Sequence, residues 1–299
     1  MNHEALRSWT RLIPFRAGAA VLNWVYRRGP GGAREPNWKV SDRELGYPAM
    51  ALNISSPFQR RAYFFPRAYW RRLMSLHFGR FIDATLKPGQ VFLDVGSNIG
   101  YYTLFAADRV GASGGVVAFE PEPVTYESVL RSARANAFSN VRCVHAALSD
   151  RQDRLAFYQT EDGSAHSLVP EVKGRENRYS ATVNVPVTSL DHMLANGELE
   201  LTRIDLIKVD VEGEEARTVA GMVTSLAHFA YPDVWAEVRG PNGSTRAPNT
   251  YPAVAKVLCG LGYKPLRWSE SGCDAVPDSG IDGREDVLFR HPSRAQMES

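Results

Sequence analysis

The sequence is poor in cysteine, has no long apolar run and carries no excess of either charge. Its 299 residues include three cysteines without C-x-x-C spacing, which excludes a disulfide-stabilised scaffold. Lysine and arginine number 35 against 33 aspartates and glutamates, so the formal net charge is +2. A nucleic-acid-binding protein needs surplus cations to displace counterions from phosphates, and we therefore expect no nucleic-acid partner. Reduced thiols are typical of the cytoplasm, which is the predicted location.

The N-terminal region also lacks the features of a membrane segment. A transmembrane helix needs roughly 20 apolar residues, and the best candidate, 12–26, is interrupted by Pro14 and Arg16. It has no signal-peptide pattern either. A break rich in glycine and proline follows at 29–38. We predict a helical extension over 1–48 that docks on the domain, forms a homodimer or lies at a membrane interface, then a catalytic domain over 49–292 and a flexible tail over 293–299.

From residue 91 onward, apolar strands alternate with amphipathic helices. The segments 91–96, 115–120 and 204–211 are nearly continuous apolar runs, which are typical of strands covered on both faces. The segments 154–160 and 180–187 alternate instead, as half-exposed strands do. The segment 141–149 is predicted as a further strand, and the helical spacing of the apolar residues in 219–226 predicts one helix after 204–211. This order predicts an α/β fold with a doubly wound, mostly parallel sheet and helices on both faces. Ligands of such folds bind at the carboxyl ends of the strands.

A glycine turn, Asp94-Val95-Gly96-Ser97-Asn98-Ile99-Gly100, follows the first of these buried strands. It is not a Walker loop, and a carboxylate, Asp94, stands where a dinucleotide motif has its first glycine. A carboxylate there repels a pyrophosphate and favours a cationic ligand head, such as the ammonium and sulfonium groups of S-adenosylmethionine. Glu120, at the end of the second strand, is placed to accept hydrogen bonds from ribose hydroxyls.

Five segments, in this order, resemble the FkbM-type S-adenosylmethionine-dependent methyltransferases: DVGSNIGYYT, VVAFEPEPVTYESVLRSARAN, HAALSD, VTSLDHML and DLIKVDVEGEE. The resemblance extends from about Met50 to about Pro292, and Ser97 departs from the alanine that is frequent in the family. It implies a class I methyltransferase fold, Rossmann-like, and O-methylation of a hydroxyl on a sugar or natural product, such as a secondary metabolite or glycolipid. The cofactor-binding residues that it implies are Asp94, Gly96, Ser97, Asn98 and Gly100 for the methionine part, Glu120 and Pro121 for the ribose, Ala147 and Leu148 for the adenine, and Asp210.

Charged side chains cluster at the end of the strand at 204–211. In an extended strand Lys208, Asp210 and Glu212 point to one face, and burying such charges is costly without a purpose. A base beside the acceptor hydroxyl assists methyl transfer, so we predict Asp210 as the catalytic carboxylate with Lys208 beside it. His166 is the alternative base. The neighbouring Glu214 and Glu215 are interpreted as partners of a helix N-terminus.

Three alternatives remain open at this stage. A divalent cation held by Asp210, Glu212 and Glu237 is less favoured than metal-free catalysis. The chain could be a non-catalytic S-adenosylmethionine-binding scaffold, or a methyltransferase for a nitrogen or carboxylate acceptor. A nicotinamide dehydrogenase is disfavoured by Asp94 and by the lack of a Tyr-x-x-x-Lys pair. The acceptor itself, a small molecule or carbohydrate, is expected between the loops at 59–72 and 160–182.

Overall fold

The computed structural model describes residues 37–41, 46–160, 166–168, 179–242 and 249–295. The strands are β1 (Trp38–Val40), β2 (Ala51–Asn53), β3 (Val91–Val95), β4 (Gly115–Phe119), β5 (Val141–Val144), β6 (Ala147–Leu148), β7 (Asp153–Thr160), β8 (Tyr179–Thr188), β9 (Leu206–Val209), β10 (Asp233–Arg239), β11 (Lys264–Ser269), β12 (Gly272–Ala275) and β13 (Arg284–Arg290). The helices are α1 (Pro57–Phe64), α2 (Pro66–Ser75), α3 (His77–Thr85), α4 (Tyr101–Val110), α5 (Pro123–Ala135), α6 (Leu190–Ala195), α7 (Glu215–Ala220), α8 (Val223–His228), α9 (Tyr251–Gly260) and α10 (Pro292–Ala295).

An eight-stranded sheet forms the centre of the molecule, in the order β12-β11-β13-β10-β9-β3-β4-β5. The strands β10, β9, β3, β4 and β5 are parallel, whereas β13 runs antiparallel between β10 and β11. Because β13 runs in the opposite direction, its first residues lie at the same edge as the last residues of the parallel strands. This topology confirms the predicted class I methyltransferase architecture.

Two apolar cores cover the two faces of this sheet. On one face, Trp235 and Phe92 pack against Phe78 of α3 and neighbouring side chains of α1, α2 and α4. On the other face, Ile207 belongs to a cluster with Leu226 of α8 and side chains of α6, α7 and α9. Helices on both faces leave the carboxyl edge of the sheet as the place where polar groups gather, as the sequence predicts.

The chain differs from the sequence prediction at two points. The predicted strand at 141–149 divides into β5, in the main sheet, and β6, which pairs with β8 in a separate three-stranded sheet β6-β8-β7. The single helix predicted after β9 is broken into α7 and α8 at Gly221. A Cβ atom at Gly221 would lie 1.9 Å from the carbonyl oxygen of Ser149, so this close backbone approach requires glycine.

The predicted N-terminal extension falls largely on residues 1–36, which lie outside the described residues. Its last part includes β1, which pairs antiparallel with β2, and the Ala51 N–H of β2 donates to Ser132 Oγ of α5. The boundary at 48/49 therefore stays a prediction, as does the tail, of which 296–299 are not described. Among the described residues, no helix combines the length and apolar character needed to cross a membrane.

Candidate active site

A cavity of about 200 Å³ lies where β3, β4 and β9 end. Its wall brings together predicted residues from separate parts of the sequence: Gly96, Asn98, Glu120, Pro121, Ala147, Leu148, His166 and Asp210. The other predicted residues have defined places beside it. Ser97 and Gly100 belong to the turn that borders the cavity, and Asp94 and Lys208 lie behind it on the sheet.

The glycine turn is held against the end of β9. Gly96 has φ +81°, and a Cβ atom there would lie 2.0 Å from the carbonyl oxygen of Asp210. Gly100 has φ +84° and is the N-cap residue of α4. The residue between them, Asn98, also has a positive φ, +50°, which asparagine tolerates better than most residues. The turn therefore brings its backbone to the cavity and leaves no space for side chains at Gly96.

Glu120 is a buried carboxylate in the cavity wall and is 6% exposed. The backbone N–H of Asn98 donates to its Oε2 at 2.8 Å, and that of Glu122 donates to its Oε1 at 2.9 Å. Burial nevertheless raises the pKa of Glu120 to about 8. In the ionised form each carboxylate oxygen keeps a second lone pair, so the group can accept two hydroxyls at once, and those hydrogen bonds would lower its pKa again. The two ribose hydroxyls of S-adenosylmethionine can supply these two hydrogen-bond donors.

Asp94 is fully buried between the sheet and α4. Its Oδ2 accepts from Thr103 Oγ1 at 2.6 Å, and its Oδ1 lies 3.7 Å from Lys208 Nζ. Burial raises the pKa of Asp94, although Lys208 and the Thr103 hydrogen bond act in the opposite direction. Asp94 therefore lies beside Lys208 on the side away from the cavity, and its predicted contact with the methionine part stays a prediction.

Lys208 joins Asp94 to Asp210. Its Nζ is 3.1 Å from Asp210 Oδ2, and it lies 5.4 Å from the centre of the Tyr102 ring. Burial alone would lower the pKa of Lys208, but the charges of Asp210 and Asp94 raise it above its usual range. Burial would raise the pKa of Asp210, but Lys208 lowers it. Lys208 stays positive and Asp210 stays ionised, so Asp210 is a weak base and a strong hydrogen-bond acceptor.

Glu212 and Glu237 are paired with arginines that the sequence analysis missed. Glu212, with φ +53°, turns away from the strand direction and accepts from Arg239 Nη2 at 2.6 Å. Arg284 donates to Glu237 and lies 3.7 Å from Glu212. The carboxylates of Asp210, Glu212 and Glu237 have oxygens within 4.8 Å of one another, which is close enough for a shared cation. The two guanidinium groups already balance part of this charge, so a metal stays the less favoured alternative.

His166 lies in the wall of the cavity, and its Nδ1 accepts the backbone N–H of Thr160 at 3.0 Å. Because a neutral imidazole carries one proton, this hydrogen bond places that proton on Nε2. The ring packs against Phe157 with its centre 6.0 Å away. This tautomer favours a role as hydrogen-bond donor over the predicted role as base.

The remaining wall is apolar or acidic. Phe157 and Leu168 contribute apolar surface from the second sheet and the segment after it. The sequence analysis did not identify Phe157 as a site residue, although the alternating pattern of 154–160 could have shown that its side chain points inward. Glu215 is fully buried and accepts the Gly213 N–H at 2.8 Å, as its interpretation at a helix N-terminus requires. Glu214 lines the cavity instead.

Comparisons with known proteins agree with this geometry. The profile of one family, described as Methyltransferase FkbM domain, matches residues 94–265. The chain is 30% identical over 164 residues to methyltransferase sdnD of Sordaria araneosa, a match covering 46% of this chain and 62% of the relative. It is 29% identical over 163 residues to 31-O-demethyl-FK506 methyltransferase FkbM of Streptomyces tacrolimicus, covering 46% of this chain and 61% of the relative.

A third relative, 2-O-methyltransferase NoeI of Sinorhizobium fredii, is 30% identical over 149 residues, covering 45% of this chain and 58% of the relative. Each of these three matches spans less than two thirds of the relative's own length. The family profile covers more than half of this chain, from the glycine turn to β11.

Proposed function

Because the chain belongs to the FkbM family of S-adenosylmethionine-dependent methyltransferases, we propose that it transfers the methyl group to a hydroxyl of a small molecule, a sugar or another natural product. This proposal rests on one observation: the buried carboxylate of Glu120 and the ionised carboxylate of Asp210 line the same cavity. The names of two relatives, a 31-O-demethyl-FK506 methyltransferase and a 2-O-methyltransferase, support oxygen as the acceptor atom.

In this proposal, the carboxylate of Glu120 accepts the ribose hydroxyls, with Pro121 beside it. Ala147 and Leu148 border the adenine, together with the apolar surface of Phe157. The backbone of the turn from Gly96 to Asn98 approaches the methionine part, because no side chain at Gly96 stands in the way. These contacts hold the reacting end beside Asp210, and such positioning supplies a large part of the rate enhancement.

When bound, S-adenosylmethionine supplies a methyl group on a positively charged sulfur, which leaves as a neutral thioether. The acceptor oxygen would gain this methyl group, and the sulfur would keep the electron pair of the broken C–S bond. The hydroxyl proton passes to a carboxylate of the chain. Asp210 accepts a hydrogen bond from the acceptor beside the reacting hydroxyl and so orients the reacting oxygen toward the methyl carbon, while the reacting hydroxyl itself donates to the carboxylate that takes its proton.

Lys208 acts as a positioning residue in this scheme. Its Nζ lies 3.1 Å from Asp210 Oδ2 and 3.7 Å from Asp94 Oδ1, so it holds the Asp210 carboxylate in place. Glu237 is better suited than Asp210 to receive the proton. Burial, followed by the nearby charge of Asp210, raises the pKa of Glu237 to about 8, close to the operating pH of a general base. His166 would donate from Nε2 to the substrate or the cofactor carboxylate.

Calorimetric titration with S-adenosylmethionine and with NAD tests the cofactor assignment, and transfer of a labelled methyl group to candidate metabolites tests turnover. We expect binding of S-adenosylmethionine alone, with affinity weakened by Glu120→Gln. The matched control is Glu127→Gln, on the surface of α5, where Glu127 pairs with Arg131. Failure to bind S-adenosylmethionine would contradict the proposal, and binding without turnover on any hydroxyl acceptor would favour a scaffold.

A further inference from the structure

A second cavity of about 480 Å³ opens at the same edge of the sheet, between α3 and the strands β10, β11 and β13. We call it the polar cleft. Its wall is formed by His77, Glu237, Arg267, Trp268, Glu285 and Asp286, with Arg284 at one end. This volume lies within the range of about 300–1,000 Å³ that is typical of small-molecule sites.

The polar cleft adjoins the cofactor cavity. Arg284 lines both cavities, and Glu237 of the cleft has a carboxylate oxygen within 4.8 Å of Asp210, which lines the cofactor cavity. In the sheet, Glu237 is paired in register with Asp286, so both side chains lie on one face. A ligand in the cleft therefore reaches the carboxylates beside the reacting end without crossing the sheet.

The charges of the cleft are internally paired. Arg267 donates to Glu285 through two hydrogen bonds of 2.8 and 3.2 Å, and Arg284 donates to Glu237. Adding Asp286 gives three carboxylates against two guanidinium groups, so the cleft has no surplus positive charge to attract an anion. It does present donors and acceptors close together, which a ligand carrying several hydroxyls can satisfy.

Two further features determine the kind of ligand. Trp268 is half-buried in the wall, held edge-on by Phe81 at 5.5 Å, and offers a large rigid apolar surface. Glu237 Oε1 is buried and accepts no hydrogen bond from the residues that the structure describes, although Arg239 Nη2 lies 3.8 Å from it. A buried acceptor without a partner is unfavourable until a donor reaches it.

We propose that the polar cleft is the acceptor subsite and binds a neutral sugar ring, with the ring's C–H face against Trp268 and one hydroxyl donating to Glu237 Oε1. This assignment rests on the proposed methyltransferase function and specifies its substrate class. It places the acceptor between α3 and the strands β10, β11 and β13, not between the loops at 59–72 and 160–182. The hydroxyl bound by Glu237 is the one that receives the methyl group, and its proton passes to that carboxylate.

The test is saturation-transfer NMR on the full chain saturated with S-adenosylhomocysteine. The probes are methyl glycosides of glucose, mannose and galactose, with methyl glucuronide as an anionic counterpart. We expect signals from at least one neutral glycoside, weaker signals from the glucuronide, and about tenfold weaker binding in Trp268→Ala, in line with the loss of a large aromatic contact. The matched control is Trp38→Ala, a half-buried tryptophan in β1, which should bind glycosides as the wild type does.

Asp286→Asn provides a second variant that keeps the side-chain size, because Asp286 lines the cleft on the same face of the sheet as Glu237. If Trp268→Ala does not fold, weaker glycoside binding by Asp286→Asn is the result that the proposal requires. Normal binding by every folded variant, preference for the glucuronide, or no glycoside signal while S-adenosylhomocysteine binds would each overturn the sugar subsite and leave the methyltransferase proposal intact. Failure of S-adenosylhomocysteine itself to bind would instead contradict the proposed function.

Discussion

Substitution of Gly96 by alanine tests how the glycine turn and the end of β9 depend on one another. The added methyl group would lie 2.0 Å from the carbonyl oxygen of Asp210 and 3.0 Å from its carbonyl carbon. Because ordinary contacts begin near 3.4 Å, either the turn or the Asp210 backbone must move by more than an ångström. The same methyl group is also placed on a residue with φ +81°, a conformation that alanine disfavours.

Gly197→Ala separates these two effects. Gly197 has φ +69°, but a Cβ atom there meets nothing within 4 Å. The free energy of unfolding of Gly197→Ala should therefore fall only by the cost of placing alanine at a positive φ, about 1–2 kcal/mol. For Gly96→Ala it should fall by a similar amount and by a further cost of about 1–3 kcal/mol from overpacking. The entropy that alanine removes from the unfolded chain is common to both variants and cancels in the comparison.

Thermal unfolding measures the difference directly. For a protein of this size, 1 kcal/mol corresponds to roughly 2–4 °C in Tm, so Gly96→Ala should melt roughly 2–12 °C below Gly197→Ala. Gly96→Ala should also bind S-adenosylmethionine more weakly and turn over more slowly, because Asp210 is displaced, whereas Gly197→Ala should do neither. Equal melting temperatures with normal cofactor affinity in Gly96→Ala would refute the close approach of the two segments.

Three other outcomes follow from the same geometry. Asp210→Asn should keep cofactor affinity nearly constant and lower the single-turnover rate by roughly two orders of magnitude, the scale of a lost positioning contact. A normal rate per folded molecule would show that Asp210 only holds Lys208. In the cofactor-free protein the raised pKa of Glu120, about 8 against an ordinary 4.5, means that the folded state retains this proton more tightly. Stability should therefore fall as the pH rises from about 4.5 to 8, and Glu120→Gln should flatten that part of the Tm profile. Dialysis against a chelator should leave turnover intact, since Arg239 and Arg284 already pair with the carboxylates, and recovery of lost activity by magnesium would contradict this.

The sequence alone predicted the features that depend on short stretches of chain. Buried parallel strands carry apolar runs, so β3, β4 and β9 were found from composition. The turn after β3 requires positive φ at its glycines, and Glu120 ends the next strand, so both could be placed at the carboxyl edge. The resemblance of motifs agreed with these local signals and is confirmed by the family match over 94–265.

Some chain breaks could not be predicted because distant residues cause them. Gly221 divides α7 from α8 through its approach to Ser149, more than 70 residues earlier in the chain. Periodicity within 219–226 is helical throughout and gives no sign of that contact. In the same way, the bend between β5 and β6 depends on pairing of β6 with β8, a strand some 30 residues further on.

The electrostatics of the site were decided only by tertiary structure. The ligand contact predicted for Asp94 stays a prediction, but only the register of β3 with β9 shows that this residue lies opposite Lys208. Arg284 reaches Glu237 only because β13 runs antiparallel beside β10, which brings its first residue to the edge where β10 ends. Local sequence determines which residues begin and end a strand, whereas the order and direction of strands determine which charges meet, because those contacts join residues far apart in the chain.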